Sequence, residues 1–436
     1  MKEQDIGKKI SRVMEFQWSN GLAFRCMSVL EQVVTDFQEL PQPLLQLSGN
    51  QMSISNITNF DFEGTEITWY VNFVEHSKIS IDDYAPLSLE EVSGWIQAYI
   101  EVPGIEFATT RISTAIFVGE SGDELADPYA LAISQLGTNQ PAESSIEFFT
   151  SPNVPPERIA KETEQLKHAE GAWADYFSPS GVQVMYFTPQ DIDWAVEFVS
   201  ANGWNGAGNL TWRLENWGCG FALAFLVDGL QKYIQCVDDA GIGSDWHRQV
   251  GPHEYTHWVQ FHLDPNQIMS TARAPYFLIE GSANFFGLAL SQQTEGFSRE
   301  FMDLTLAQHA SQMDLWGYGQ FGDLTLLKIL AQGNLLEVES LVEKNWTVYE
   351  AYAWGSLITE WMILQVGVDG MATFWSDIGS IVASDAFTSG PTYRALLDEV
   401  WTANFGYAYT ELGDKLLPYL AWRAPQLIEA WENSRN

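Results

Sequence analysis

The sequence predicts an α+β protein in two parts: an N-terminal domain of mixed helix and strand over residues 1–150, then a domain over 151–436 that is mostly helical after a few strands. Three observations carry this. At 436 residues the chain is long for one domain. Strand patterns occupy 51–80 and recur near 105–118, whereas the chain after residue 280 reads as helix to its end. Between these regions Ser151-Pro-Asn-Val-Pro-Pro156 is a run of turn formers that gives the boundary. An apolar content of 46%, with eighteen Trp, is enough to fill two cores.

Taken in order, residues 1–48 carry helical periodicity in Val29, Leu30, Val33, Val34 and Phe37, and Pro41 and Pro43 stop it. Residues 54–62, then Glu63-Gly64 as a turn, then 67–74 read as a β-hairpin. Ser88 with Glu91 forms a capping-box pattern and predicts a helix to about residue 100. No motif before residue 150 ties to chemistry. Past the boundary, helix is expected over 157–177, strand at 182–187, and helix again from Thr188-Pro189 to 201. Residues 202–208 are rich in Gly and Asn and read as loop. Residues 220–227 are apolar on both faces and read as an interior strand, while the more polar 230–237 reads as an edge strand. Asp228-Gly229 supplies the two-residue turn between them, setting Val227 opposite Leu230 and Phe221 opposite Cys236. Cys219 is then a diagonal neighbour of Cys236, about 7–8 Å away and near the limit for bridging. Free thiols are expected, with a disulfide left open if the loop is longer.

There are 57 acidic against 21 basic side chains, a net charge of −36. Such a surface repels nucleic acid and anionic membrane, so neither is expected as a partner. It attracts cationic peptides, or it is an adaptation to solubility or high salt. No apolar run follows the charged start of the chain, so no secretory peptide is visible. The longest apolar candidate, 352–371, carries Glu360 and Asp369 and reads as a buried helix rather than a membrane span. A cytoplasmic location is the default expectation, and a secreted one follows if the chain start is processed or misplaced.

The chemistry concentrates in Val250-Gly-Pro-His253-Glu254-Tyr-Thr-His257, and four of the seven His lie between 247 and 262. Pro252 fits only in the first turn of a helix, which therefore starts between 248 and 252. Residues four apart share one helix face, so His253 and His257 present two imidazole nitrogens to one cation. Glu254, a quarter turn round, is placed to hold a water there. Two neutral imidazoles and an open position suit catalytic zinc, so Zn2+ is the expected cofactor. A third ligand is available in Tyr276-Phe-Leu-Ile-Glu280-Gly-Ser-Ala-Asn284. Because both His must be neutral to bind zinc, affinity is expected to fall below about pH 6.

These two segments resemble the gluzincin zinc peptidases, the group that includes thermolysin-like endopeptidases and membrane-alanyl-type aminopeptidases. Their pattern is His-Glu-x-x-His on one helix and Glu-Gly-x-Ala on a second. The resemblance implies His253, His257 and Glu280 as ligands and Glu254 as general base. It also implies a thermolysin-like catalytic domain over 151–436, with a small mixed sheet, an active-site helix and a mostly helical C-terminal part. A metzincin pattern is not met, since Gln260 and Leu263 stand where it needs Gly and His. The resemblance further implies an oxyanion donor on a later helix. Tyr352-Ala-Trp-Gly355 matches the aminopeptidase Tyr-x-x-Gly in form and order but lacks the usual charged residues between. Tyr349 is a rival, and Tyr352 as a core aromatic is an alternative. Asn284 stands where thermolysin-like enzymes have Asp and is a candidate to accept a hydrogen bond from His253. Gln260 is a second candidate for orienting the ligands, and an ordinary surface or capping role is open for both.

The expected activity is zinc-dependent hydrolysis of a peptide or protein substrate, with endopeptidase action favoured because an edge strand can pair with an extended substrate. An aminopeptidase is one alternative. Its group binds the substrate's amino terminus through Gly-x-Met-Glu-Asn, which Trp212-Arg-Leu-Glu215-Asn216 meets only in part. A catalytically inactive binding protein on a peptidase scaffold is the other.

Overall fold

The chain divides into two compact units, Met1–Leu125 and Ala126–Asn436. The structure, a computed structural model, describes residues 41–435 apart from 104–109, 119–125, 138–144, 238–248, 270–273, 313–323, 325–326, 329–330, 332–350, 382–390 and scattered single positions. The helix expected within the first 40 residues lies outside the described residues, as does Tyr349.

The first unit holds β1 (Leu45–Ser48), β2 (Gln51–Ile54), β3 (Glu66–Val71), β4 (Val74–Ser80), β5 (Leu87–Ser88), β6 (Gly94–Glu101), β7 (Thr110–Ile112) and β8 (Ile116–Val118). One antiparallel sheet has the order β1-β2-β5, the other β4-β3-β6-β7 with β8 also on β6. Met52 and Ile54 from the first sheet share a core with Ile67, Trp69, Ile96 and Ile100 from the second. Two sheets therefore pack through their apolar faces. The hairpin turns at Asn72 and Phe73, both at positive φ (47° and 66°), and not at Glu63-Gly64. The run 67–74 that reads as one strand is the end of β3, this turn, and the start of β4. The helix expected from Ser88 is replaced by β5 and β6. Ile96, Ala98 and Ile100 are buried while Gln97, Tyr99 and Glu101 are less so. That two-residue period outweighs the capping pattern upstream.

The second unit holds β9 (Ile146–Thr150), β10 (Val182–Phe187), β11 (Ala222–Val227) and β12 (Leu230–Cys236). Its helices are α1 (Pro128–Leu136), α2 (Pro156–Ala172), α3 (Ile192–Ala201), α4 (Leu210–Trp217), α5 (Val250–His262), α6 (Ser282–Glu295), α7 (Arg299–Gln312), α8 (Ser356–Gly379), α9 (Pro391–Phe405) and α10 (Leu412–Asn433). The sheet order is β11-β12-β10-β9, with β9, β10 and β12 parallel and β11 antiparallel. Because β9 pairs with β10, the division between units falls ahead of the Pro-rich segment at 151. The molecule is α+β. Among the described residues no helix is long and apolar enough to cross a membrane.

Two expectations about the hairpin change. Its register is the expected one, with Val227 opposite Leu230, but the edge is β11 and β12 lies inside the sheet. Lys232, Tyr233 and Gln235 on β12 are buried with partners. Tyr233 donates to Gln235 Oε1 at 2.6 Å, and Lys232 Nζ donates to Gln183. Polarity marks an edge only when it faces water. The second change is a disulfide between Cys219 and Cys236, with Cα atoms 5.1 Å apart, where free thiols are the expectation. β11 begins only at Ala222, and Gly218 (φ 66°) ends α4 just before Cys219. Cys219 is therefore not held at the strand's diagonal spacing and comes within bridging distance.

Candidate metal centre

Helix α5 starts at Val250, which leaves Pro252 in the first turn, where its missing N–H costs no hydrogen bond. Its neighbour α6 lies close because Gly287 has no side chain: a Cβ there would come 3.0 Å from His253 Cβ and 3.2 Å from the Gln249 carbonyl. His253, Glu254 and His257 are all buried on α5.

The three expected ligands converge. His253 Nε2 and His257 Nε2 are 3.1 Å apart, and Glu280 Oε2 is 3.4 Å from the first and 3.5 Å from the second. A tetrahedral zinc with bonds of about 2.0–2.1 Å spaces its ligand atoms about 3.3–3.4 Å apart. The donor set and its spacing therefore fit that ion. Among the described residues this is the one His, Cys, Asp and Glu cluster with such convergence.

Glu280 and Tyr352 share a structural device that the sequence reading missed. Glu280 sits on a π-turn, Phe277–Gly281, that runs into α6, and Tyr352 on a second, Ala351–Gly355, that runs into α8. Turns of this kind are rare and concentrate at functional sites. The two touch through glycine. A Cβ on Gly281 would lie 2.3 Å from Gly355 Cα, and one on Gly355 would lie 2.7 Å from Gly281 Cα. A side chain at either position would force the turns apart. The contact sets the Tyr352 ring edge-on to His253, with centroids 5.6 Å apart.

Gln260 is hydrogen-bonded to one of the candidate ligands, His257. Gln260 Nε2 donates to the Ile279 carbonyl (3.0 Å) and to Ser282 Oγ (2.8 Å), so its oxygen must face the other way. There Oε1 accepts from His257 Nδ1 at 2.8 Å. With that proton on Nδ1, the neutral form of His257 presents its Nε2 lone pair to a metal. Asn284 is a correction: it faces Gln249, Tyr352 and Ser356 rather than His253. Glu215 and Asn216 are exposed on α4, and Asn216 Nδ2 donates to the Trp212 carbonyl within that helix.

Burial pushes the Glu254 carboxyl up to about 7, against the His257 charge and a hydrogen bond from the backbone of Ala224 on β11. Burial also lowers His253. For His257 burial is outweighed by the carboxylates of Glu280 and Glu254, which raise it to about 9. Glu280 stays well below the usual carboxylate range because the two imidazoles outweigh its burial. His309 on α7, absent from the sequence reading, packs its ring 5.3 Å from Tyr352. Burial and the nearby His253 lower it to about 4, so it is neutral near pH 7. It belongs to no motif, and its position comes only from the fold.

No protein-family model matches this chain, and no curated protein or solved structure does either.

Proposed function

We propose that the chain hydrolyses peptide bonds with zinc held by His253, His257 and Glu280. The observation that carries this reading is the convergence of those three ligand atoms at tetrahedral spacing, with Glu254 buried next to them. Zinc bound there supplies Lewis acidity, which acidifies water and polarises a carbonyl. Glu254, buried beside the three candidate ligands, takes a proton from the attacking water and passes it to the leaving amine. Tyr352 is the candidate hydroxyl donor to the developing oxyanion.

The reading extends to a thermolysin-like catalytic domain. Helix, strand, helix, two strands and the metal helix follow in the order the resemblance implies, with α4 inserted. Endopeptidase action is favoured by β11. This strand is a sheet edge, and its Ala224 N–H reaches the Glu254 carboxylate. An extended substrate pairing with that edge passes beside the general base. The exposure of Glu215 and Asn216 gives an aminopeptidase no amino-terminal anchor there.

In the test, wild type carries one zinc by elemental analysis and cleaves peptides from a broad library. Glu254→Gln is expected to keep the zinc and to lose about 10²–10⁴-fold in turnover. His253→Ala is expected to lose both. A wild-type protein that folds without metal would sink the proposal. One that holds zinc yet cleaves nothing would favour the reading of a binding protein on a peptidase scaffold.

A further inference from the structure

We propose that Asn284 is a positioning residue for Tyr352, acting through the backbone of the second π-turn; this rests on the peptidase reading above. Asn284 Nδ2 donates to the Tyr352 carbonyl at 3.2 Å and to Ser356 Oγ at 2.8 Å. Its Oδ1 accepts from Gln249 Nε2 at 3.2 Å. Ser356 Oγ in turn donates to the Tyr352 carbonyl at 2.6 Å and lies 3.2 Å from the Gly281 carbonyl. Gln249, Asn284 and Ser356 are all fully buried.

Every donor in this chain faces an acceptor, and the amide has one workable orientation. Turned round, its oxygen would meet the Tyr352 carbonyl oxygen, which has no proton to give. In a dry interior a carbonyl must be paired, and pairing it to fixed donors fixes its place. Gln249 directly precedes α5, Asn284 lies on α6 one turn past Glu280, and Ser356 opens α8. The network thus references the Tyr352 backbone to the helix that bears His253 and His257. The phenol hydroxyl stands at the far end of a rigid ring, so a small shift of the turn is magnified there.

This role accounts for a neutral side chain at position 284. An Asp of the same size would remove both donors, set a carboxylate oxygen against the Tyr352 carbonyl and draw the Ser356 hydroxyl away from that carbonyl.

The test is Asn284→Asp, with Ser356→Ala as a second variant, each in the wild-type and Tyr352→Phe backgrounds. The readouts are zinc content, kcat and KM on a peptide that wild type cleaves. Zinc is expected to stay stoichiometric. KM should stay within about twofold while kcat falls about tenfold or more in the wild-type background. In the Tyr352→Phe background neither change should cost anything further, because the group being positioned is already gone. An equal loss in both backgrounds, or zinc lost in step with kcat, overturns the proposal. If Asn284→Asp does not fold, Ser356→Ala carries the same readouts. If wild type holds zinc but cleaves no peptide, the peptidase reading fails and fluorine NMR of fluorotyrosine-labelled protein decides this one. The Tyr352 resonance, assigned by its loss in Tyr352→Phe, should move in both variants, and an unmoved resonance overturns the proposal.

Discussion

His257 answers to two neighbours at once. Gln260 holds a proton on its Nδ1, and the Glu280 carboxylate favours a second proton on Nε2, the atom a metal needs. In the metal-free protein that second proton stays on until about pH 9. Zinc must displace it, so affinity should rise about tenfold per pH unit from neutral toward 9 and then level off. Below neutral pH His253, whose pKa burial lowers, joins the competition, and the fall steepens. The window thus lies higher than two unperturbed imidazoles would give, because the candidate third ligand, Glu280, itself favours the competing proton. Chelator competition at three pH values between 6.5 and 8.5 measures the slope, and a flat line would show that His257 is already neutral over that range in the metal-free protein.

Among the helices, α7, α8 and α10 are joined by a buried ionic knot. Arg423 Nε donates to Glu360 at 2.7 Å, Arg423 Nη2 to Asp303 at 2.6 Å, and Tyr419 to Glu360 at 2.5 Å. Arg299 adds bonds to Asp303 at 3.1 Å and to Asp127, before α1, at 2.8 Å. Glu360 is held below the usual carboxylate range, its burial outweighed by Arg423 and Arg299. Its contribution to stability is therefore complete above the ordinary carboxylate pKa and is lost as pH falls through the depressed one. Glu360→Gln leaves Arg423 undercompensated in the interior and should cost about 3–5 kcal/mol near pH 7 by urea denaturation. A loss within about 0.5 kcal/mol would mean the knot is not closed in solution. At this scale the sequence was partly legible. Helices α2 and α5 and the β11–β12 register followed from proline positions, periodicity and Asp228-Gly229, all local signals. The strand β6 and the interior place of β12 did not, because each depends on which face a partner covers, and a partner distant in sequence leaves no local mark.

Over the whole chain, the three candidate ligands, Glu254, and the side chains that hold them all lie within Ala126–Asn436. Residues 126–436 expressed alone should therefore fold cooperatively and bind one zinc, as judged by thermal unfolding and elemental analysis. A fragment that folds without zinc, when the full-length chain holds it, would contradict this expectation. The candidate ligands were legible from sequence because metal chemistry demands particular side chains at helix spacing, and this survives ignorance of the fold. Asn284, His309 and the π-turns were not, since their roles come from segments that meet only after folding. One of those meetings bears on how the molecule can drift. Gly281 and Gly355 abut main chain to main chain. Neither stretch can be grafted into a new scaffold without the other, and a neutral-looking methyl at either would be felt by the Glu280 carboxylate and the Tyr352 phenol together.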